Sequence, residues 1–353
     1  MELNLKQNLL KILLDLIKIN SVIGHEEELC KTIKKSLVKL NIPCETHVEN
    51  NLVFTLNKTS SPNVVALCGH LDTVNFSDIN QLTPKIIDDG YVSGLGSVDM
   101  KPGLAIMLKL ASDFQCGLFN PKYTIKFIFY SGEEGPLPNG VNTLLKCNAL
   151  KDIDFCFVLE PTCSKYCFGC LGAMTIHVRV KGKSAHSAYA WEGKNAIYHA
   201  LPLIEKINSY QDRDLTIDSM SCRETLNLTK ITTCNPHNAI PEECLLTINY
   251  RFSPIKSVEE ATSDLKKIIS RDFEIIDISP SCYTSNPCIS LNEKVEKEIF
   301  QGWSDMAQLN IAGIQSINYG PGDLKLAHSP REKIPIAELE EFYKEMKFVL
   351  EKR

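Results

Sequence analysis

Apolar residues in the first half of the chain follow two alternating rhythms. Leu9, Leu13 and Ile17 recur at the spacing that puts side chains on one face of a helix. Similar helical patterns run through 26–40 and 103–114. Between and after them stand short apolar runs, at 52–56, 64–68, 124–130 and 155–159, that read as buried strands. Alternation of this kind predicts an α/β domain, a mainly parallel sheet covered by helices on both faces. The middle of the chain changes character. GAMTIHVRV (172–180) and CLLTINYRF (244–252) are long strands, accompanied by helical patterns at 194–209 and 257–270. Two helices on a small antiparallel sheet predict an inserted α+β domain of ferredoxin-like type over 168–282. It interrupts a first domain made of 1–167 and 283–353. Pro280 and Pro287 mark the return linker, and a helix near 336–351 closes the chain.

Composition narrows the function classes. At 353 residues the chain is larger than one core comfortably fills, which favours two domains. Its 44% hydrophobic and 23% charged content is that of an ordinary soluble protein. A net charge of -5 argues against a nucleic-acid partner. The absence of a run of roughly 18 apolar residues argues against a membrane span. The N-terminal MELNLKQNLLKILLDLIKIN is interrupted by Lys11, Asp15 and Lys18, and no small-residue cleavage site follows. It reads as an amphipathic helix, and the expected location is cytoplasmic. There the fourteen cysteines stay reduced. Their tightest cluster, CSKYCFGC, has irregular spacing and no second pair, so it does not read as a structural zinc site.

The chemistry lies where predicted strands end. GHLDTV places His70 and Asp72 two residues apart, which points them the same way in an extended segment. Asp99 ends the glycine-punctuated turn GLGSVD before a helix. Glu133 and Glu134 follow the apolar run KFIFY, Glu160 follows 155–159, and His328 precedes the closing strand and helix. An isolated Glu-Glu pair is a solvated turn, because neighbouring like charges resist ionising together unless water or a cation relieves them. The joint placement changes that reading, since ligands of open parallel sheets bind beyond the C-terminal strand ends. Two imidazoles with at least three carboxylates exceed the needs of one tetrahedral ion and suit a pair of bridged divalent metals.

GHLDTV, GLGSVDMKPGLA, YSGEEG, LEPT, GKSAHSA and GPGDLKLAHSP, in this order, resemble the co-catalytic zinc peptidases and deacylases of the family called M20. The resemblance covers nearly the whole chain. It implies a zinc-peptidase-like catalytic domain with an inserted dimerisation and lid domain, and metal-dependent hydrolysis of a linear amide in an acylated amino acid. The implied cofactor is two Zn2+, with Co2+ as a substitute. His70 and Glu160 would hold one ion, Glu134 and His328 the other, and Asp99 would bridge them. Asp72 would steer His70 from behind, and Glu133 would act as general base. His186, in GKSAHSA, would reach the active site of the other subunit of a homodimer. Arg251 and Asn238 match substrate-facing positions of members that act on substrates with several carboxylates. Gly302 and Ser304 in GWSD, and Gly320 in GPG, resemble acyl-pocket loops whose main-chain N–H groups would hold a carboxylate. One departure stands out: many longer members carry a basic residue before the glycine that opens the first inserted strand, and here that place reads Cys170-Leu171-Gly172.

Overall fold

The computed structural model describes residues 3–56, 63–76, 78–88 and 90–351. They divide into two compact units. The first runs to Gly169 and resumes over Thr284–Glu298 and from Ser304 onward; the second comprises Cys170–Tyr283 and Ile299–Trp303.

The sheet of the first unit has the order Glu45–His47, Asn51–Leu56, Thr124–Tyr130, Val64–His70, Phe155–Val158, Gln315–Asn318, Tyr166–Cys170. Its centre is parallel: Thr124–Tyr130, Val64–His70, Phe155–Val158 and Gln315–Asn318 run the same way. Both flanks are antiparallel, including the predicted strand at 52–56, which pairs antiparallel with Thr124–Tyr130. Every residue of Thr124–Tyr130 and of Phe155–Val158 is buried. Successive strand side chains point to opposite faces, so both faces of the sheet are covered there. The helices Leu9–Ile17, Lys101–Gln115 and Ile336–Leu350 pack on one another, and Gly140–Lys146 packs against Met306–Ile311. Lys101 contributes an unusual tie: its buried side-chain nitrogen donates to the Leu16 and Ile19 carbonyls, at 3.1 and 2.9 Å, in the last turn of the first helix and just past it.

Register fixes where the site is. His70 lies opposite Tyr130, Cys68 opposite Val158, and Val158 opposite Asn318. The loops that leave these strands therefore share one edge. Two glycines let main chain close in on the Leu159–Glu160 segment. A Cβ on Gly103 would lie 2.9 Å from the Leu159 carbonyl oxygen, and one on Gly320 would lie 2.5 Å from the carbonyl oxygens of Leu159 and Glu160.

The second unit is an antiparallel sheet in the order Arg213–Ile217, Met220–Thr232, Glu243–Phe252, Gly172–Lys181, Glu274–Ser279. The helices Ala196–Asn208 and Val258–Ile269 contribute Ala200, Leu203 and Leu265 to a core with Met174, Ile176, Val178 and Ile248. Leaving aside the hairpin strand Arg213–Ile217, the four remaining strands have the chain order and pairing of a ferredoxin-like fold. Burial alternates strictly along Glu243–Phe252. Its core-facing set includes Ile248 and Tyr250, and its other set includes Asn249 and Arg251.

Candidate metal and hydrolytic site

At the shared strand edge five segments bring carboxylates and imidazoles together, those of His70, Asp99, Glu134, Glu160 and His328. His70, the last residue of its strand, is buried. Its Nδ1–H donates to the main-chain carbonyl of Asp72 at 3.0 Å, and a carbonyl can only accept. The proton is thus placed on Nδ1, and Nε2 faces Asp99 Oδ1 at 3.1 Å and Glu160 Oε1 at 3.9 Å. Asp99 Oδ2 lies 3.4 Å from His328 Nε2, which also lies 3.0 Å from Glu134 Oε1. One carboxylate, Asp99, therefore sits between two imidazoles from loops 258 residues apart in sequence (328 − 70), at His70 and His328. Candidate ligand atoms of His70, Asp99 and Glu134 all fall within 4.8 Å of one another. His328 has φ of 56°, the left-handed region that non-glycine residues seldom adopt, and there it presents its ring to the cluster.

Electrostatics in this cluster are mutual. Desolvation works against a charged His70, yet the carboxylates of Asp99, Glu160 and Asp72 hold it well above the usual imidazole range. Hydrogen bonds with Asp99 and Glu134 raise His328 to about 10. Desolvation also opposes the Asp99 charge, but His328 and His70 hold that carboxyl well below its ordinary value. Glu133 and Glu160 go the other way. Desolvation, with the charge of Glu160 on the first and of Asp99 on the second, pushes both well above the usual carboxylate range.

Asp72 departs from the expected geometry. Its carboxylate Oδ1 is 3.8 Å from His70 Nδ1, and its main-chain carbonyl makes the hydrogen bond that orients the ring. The carboxylate instead accepts three consecutive main-chain N–H groups, from Gly132, Glu133 and Glu134, at 2.9, 3.2 and 2.8 Å. It holds the loop that presents the paired glutamates.

Two pocket expectations fall on buried residues. Ser304 is buried and its hydroxyl donates to Asn318 Oδ1 at 2.8 Å, so its side chain is turned into the fold. The neighbouring Asp305 is equally buried and accepts from Asn139 Nδ2 at 2.8 Å. Gly320 is buried, its N–H donates to Thr162 Oγ1 at 3.2 Å, and its carbonyl accepts from Thr162 and Ser164 N–H. Its main chain is spent on the Leu159–Ser164 turn and cannot cradle a carboxylate. Gly302 remains partly exposed in the second unit.

The second unit joins two of the other candidates. Ala185–His186 pairs with Ala239–Ile240, and Ser187 N–H donates to the Asn238 carbonyl at 2.8 Å. His186 and Asn238 are exposed side by side. Ala188 N–H donates to His186 Nδ1 at 3.1 Å, which leaves Nε2–H pointing outward as a donor in the neutral ring. Arg251 lies on the sheet. Its Nε donates to Asn249 Oδ1 at 3.2 Å, and Asn249 Nδ2 in turn donates to Thr175 Oγ1 at 3.2 Å. Among the described residues no carboxylate pairs with the Arg251 guanidinium, and desolvation lowers its pKa.

The family model for peptidase family M20/M25/M40 matches residues 66–352, most of the chain and all of the site. The chain belongs to this family. As an M20 member it is a hydrolase acting on an amide bond. It is 28% identical over 344 residues to a succinyl-diaminopimelate desuccinylase of Corynebacterium glutamicum, covering 92% of this chain and 91% of that one. It is equally 28% identical, over 351 residues and 96% of each chain, to a putative succinyl-diaminopimelate desuccinylase, DapE, of Mycobacterium tuberculosis. A tripeptidase from Staphylococcus aureus has the same fold, with a TM-score of 0.77 and 24% identity over 99% of this chain and 98% of that chain. So does the YXEP protein of Bacillus subtilis, described as a dinuclear metal binding peptidase from the M20 family, with a TM-score of 0.68 and 14% identity over 97% and 96%. Like other M20 proteins, the chain carries a candidate metal site. No helix among the described residues is long and apolar enough to cross a membrane.

Sequence reasoning missed one contact in this site. Glu332 is buried and accepts main-chain N–H groups of the loop that carries Asp99. The partners are 233 to 236 residues apart, and no local pattern announces them.

Proposed function

We propose that this chain hydrolyses N-succinyl-LL-2,6-diaminopimelate to succinate and LL-2,6-diaminopimelate, a step toward lysine and cell-wall precursors. The observation that carries this reading is the Asp99 carboxylate held between two imidazoles, in a chain whose relatives over nine-tenths of its length are named desuccinylases. The donor set fits two divalent cations. Glu160 Oε1 is buried with no hydrogen-bond partner among the described residues, and Asp99 Oδ1 lies 3.1 Å from His70 Nε2 among carboxylates that raise the ring's affinity for a proton. Both arrangements call for positive charge. His70 and Glu160 would hold one ion, His328 and Glu134 the other, with Asp99 shared; zinc suits these ligands, and cobalt can replace it. When bound, such a pair supplies the charge that acidifies a water and polarises the amide carbonyl.

The chain's own residues do the rest. Glu133 takes the proton of the attacking water and returns it to the departing amine. The Asp72 carboxylate keeps Glu133 and Glu134 on one fixed loop, so that one serves the proton and the other the cation. Arg251, half-buried and without a carboxylate partner, supplies a fork for a substrate carboxylate, with Asn238 and Gly302 as further substrate contacts. No disulfide joins the cysteines of the described residues, which fits a reducing cytoplasm.

The test is a comparison of the zinc-loaded protein on N-succinyl-LL-diaminopimelate and N-acetylornithine, each repeated after chelation. The expected result is chelator-sensitive preference for the succinyl compound, with Arg251→Ala raising KM for it by about 10-fold or more, the scale of a lost charged hydrogen bond. Preference for the acetyl compound would move the chain to the deacetylases, whose acyl group offers Arg251 no carboxylate.

A homodimer follows from the same reading, with His186 of one subunit serving the reaction in the other. The loop after His186 supports it. Tyr189 and Trp191 form an edge-on pair there, and both are exposed, Trp191 at 75%. Tyr198 and Leu201 are exposed on the adjacent helix Ala196–Asn208. Exposed apolar groups clustered in this way mark an interaction surface. Sedimentation of Leu201→Glu is expected to show a monomer with strongly reduced turnover. A monomer that keeps full activity would remove His186 from the reaction.

A further inference from the structure

Glu332 is a buried carboxylate without an ion pair among the described residues. What holds it is main chain. Its Oε1 accepts from the N–H groups of Val98 and Asp99 at 2.7 and 3.1 Å, and its Oε2 from Gly96 N–H at 3.0 Å. Convergence of these N–H groups needs a left-handed residue, and Gly96 supplies it with φ of 74°. Glu332's own backbone is fixed in turn, since Ser93 Oγ donates to its carbonyl at 3.0 Å. The loop gathered by the carboxylate ends in Asp99. The residue that gathers it lies four positions after His328. One side chain therefore ties together the two segments that bring Asp99 and His328 to 3.4 Å. Asp72 does the equivalent for Gly132, Glu133 and Glu134, so the Asp99 loop and the Glu133–Glu134 loop are each gathered by a buried acid.

We propose that Glu332 is a positioning residue of the metal pair: it sets the backbone of the shared ligand Asp99 and couples it to the His328 loop. This rests on the metal-ligand reading given above. A carboxylate is required because all three partners are donors. In Glu332→Gln one oxygen becomes an NH2 group facing an N–H. In Glu332→Asp the charge stays but the reach falls one methylene short.

The test is Co2+ titration of the metal-stripped full chain, followed by visible absorption. Glu332→Gln is expected to bind Co2+ about 10- to 100-fold more weakly, as loss of a group that orients a metal ligand does. The intensity of its absorption bands is expected to change as well, because the coordination geometry is altered. KM should stay near the wild-type value, since Glu332 touches no substrate. Asp113→Asn is the control. Asp113 is a buried acid on the helix Lys101–Gln115 that pairs with Lys109 and accepts from the Tyr343 hydroxyl, partners on helices and not on the ligand loops, and its loss should leave Co2+ affinity unchanged. Glu332→Asp must also bind more weakly, and it keeps the test open if the glutamine variant does not fold. Wild-type affinity with an unchanged spectrum in the Glu332 variants overturns the inference alone. A wild-type chain that takes up no Co2+ overturns the metal reading and this inference with it.

Discussion

Glu133→Gln is expected to lower kcat by about 10³-fold, within the range of a lost general base, while metal content and KM stay close to wild type. The change removes about 4 kcal/mol of transition-state stabilisation. The separation of roles within the Glu-Glu pair is what makes the outcome specific. Glu134 faces His328 Nε2 at 3.0 Å, and Asp99 lies on the other side of that ring nitrogen. Glu133 makes no such contact among the described residues. Its carboxyl is pushed well above the ordinary range, by desolvation first and by the Glu160 charge next. Glutamine keeps the length of the side chain, and the Asp72 carboxylate grips Glu133 through its main-chain N–H, which the substitution does not alter. Loop geometry should therefore survive. Metal analysis and steady-state kinetics on one preparation decide the matter. Near-normal turnover with metal retained would assign the proton transfer to another group.

The central strands were legible because their burial is written in sequence. A strand covered on both faces is a nearly continuous apolar run, as in Thr124–Tyr130, and the one charge in it is Lys126, whose ammonium escapes to the Ala149 carbonyl at 3.0 Å and to Asp152. The long strand Met220–Thr232 was not legible. Met220, Cys222 and Leu226 keep the alternation, but Glu224 occupies the core-facing position between them. It is tolerated because Lys256 and the Ser253 N–H satisfy it at 2.7 and 2.8 Å, partners that no local window reveals. The site follows the same logic. Candidate ligands could be picked out because each stands at the end of a parallel strand or in a motif with a known neighbour. The supports could not. Ser304 to Asn318, Gly320 to Thr162 and Glu332 to Asp99 are tertiary contacts. They decide whether a polar group is spent inside the fold or offered to a ligand. A loop motif such as GWSD gives the residue type and leaves its direction open, and here the Ser304 side chain turns into the fold.

Asp99→Asn is expected to be the most damaging single change at the site. Asp99 offers Oδ1 toward His70 Nε2 at 3.1 Å and Oδ2 toward His328 Nε2 at 3.4 Å. In the proposed reading each oxygen serves one cation, and the single negative charge is shared by both. An amide of the same shape has one oxygen and no charge, and its NH2 group would face a ring nitrogen or a cation that needs a lone pair. One of two bound ions would lose a ligand, and the repulsion between them would lose its screen. Uptake of the second Co2+ equivalent should therefore fail at concentrations that saturate wild type. Turnover should fall by about 10³-fold or more, at least the scale of removing one preorganised electrostatic contact in an active site. The main-chain hydrogen bond from residue 99 to Glu332 involves no side-chain atom of Asp99, so the loop should keep its path and the far-ultraviolet spectrum should not change. That separates loss of the shared ligand from loss of the fold. A variant that binds two Co2+ equivalents with wild-type affinity and turns over substrate at a comparable rate would show that Asp99 is not shared. The two-ion reading of the site would then have to give way to a single ion at His70 and Glu160.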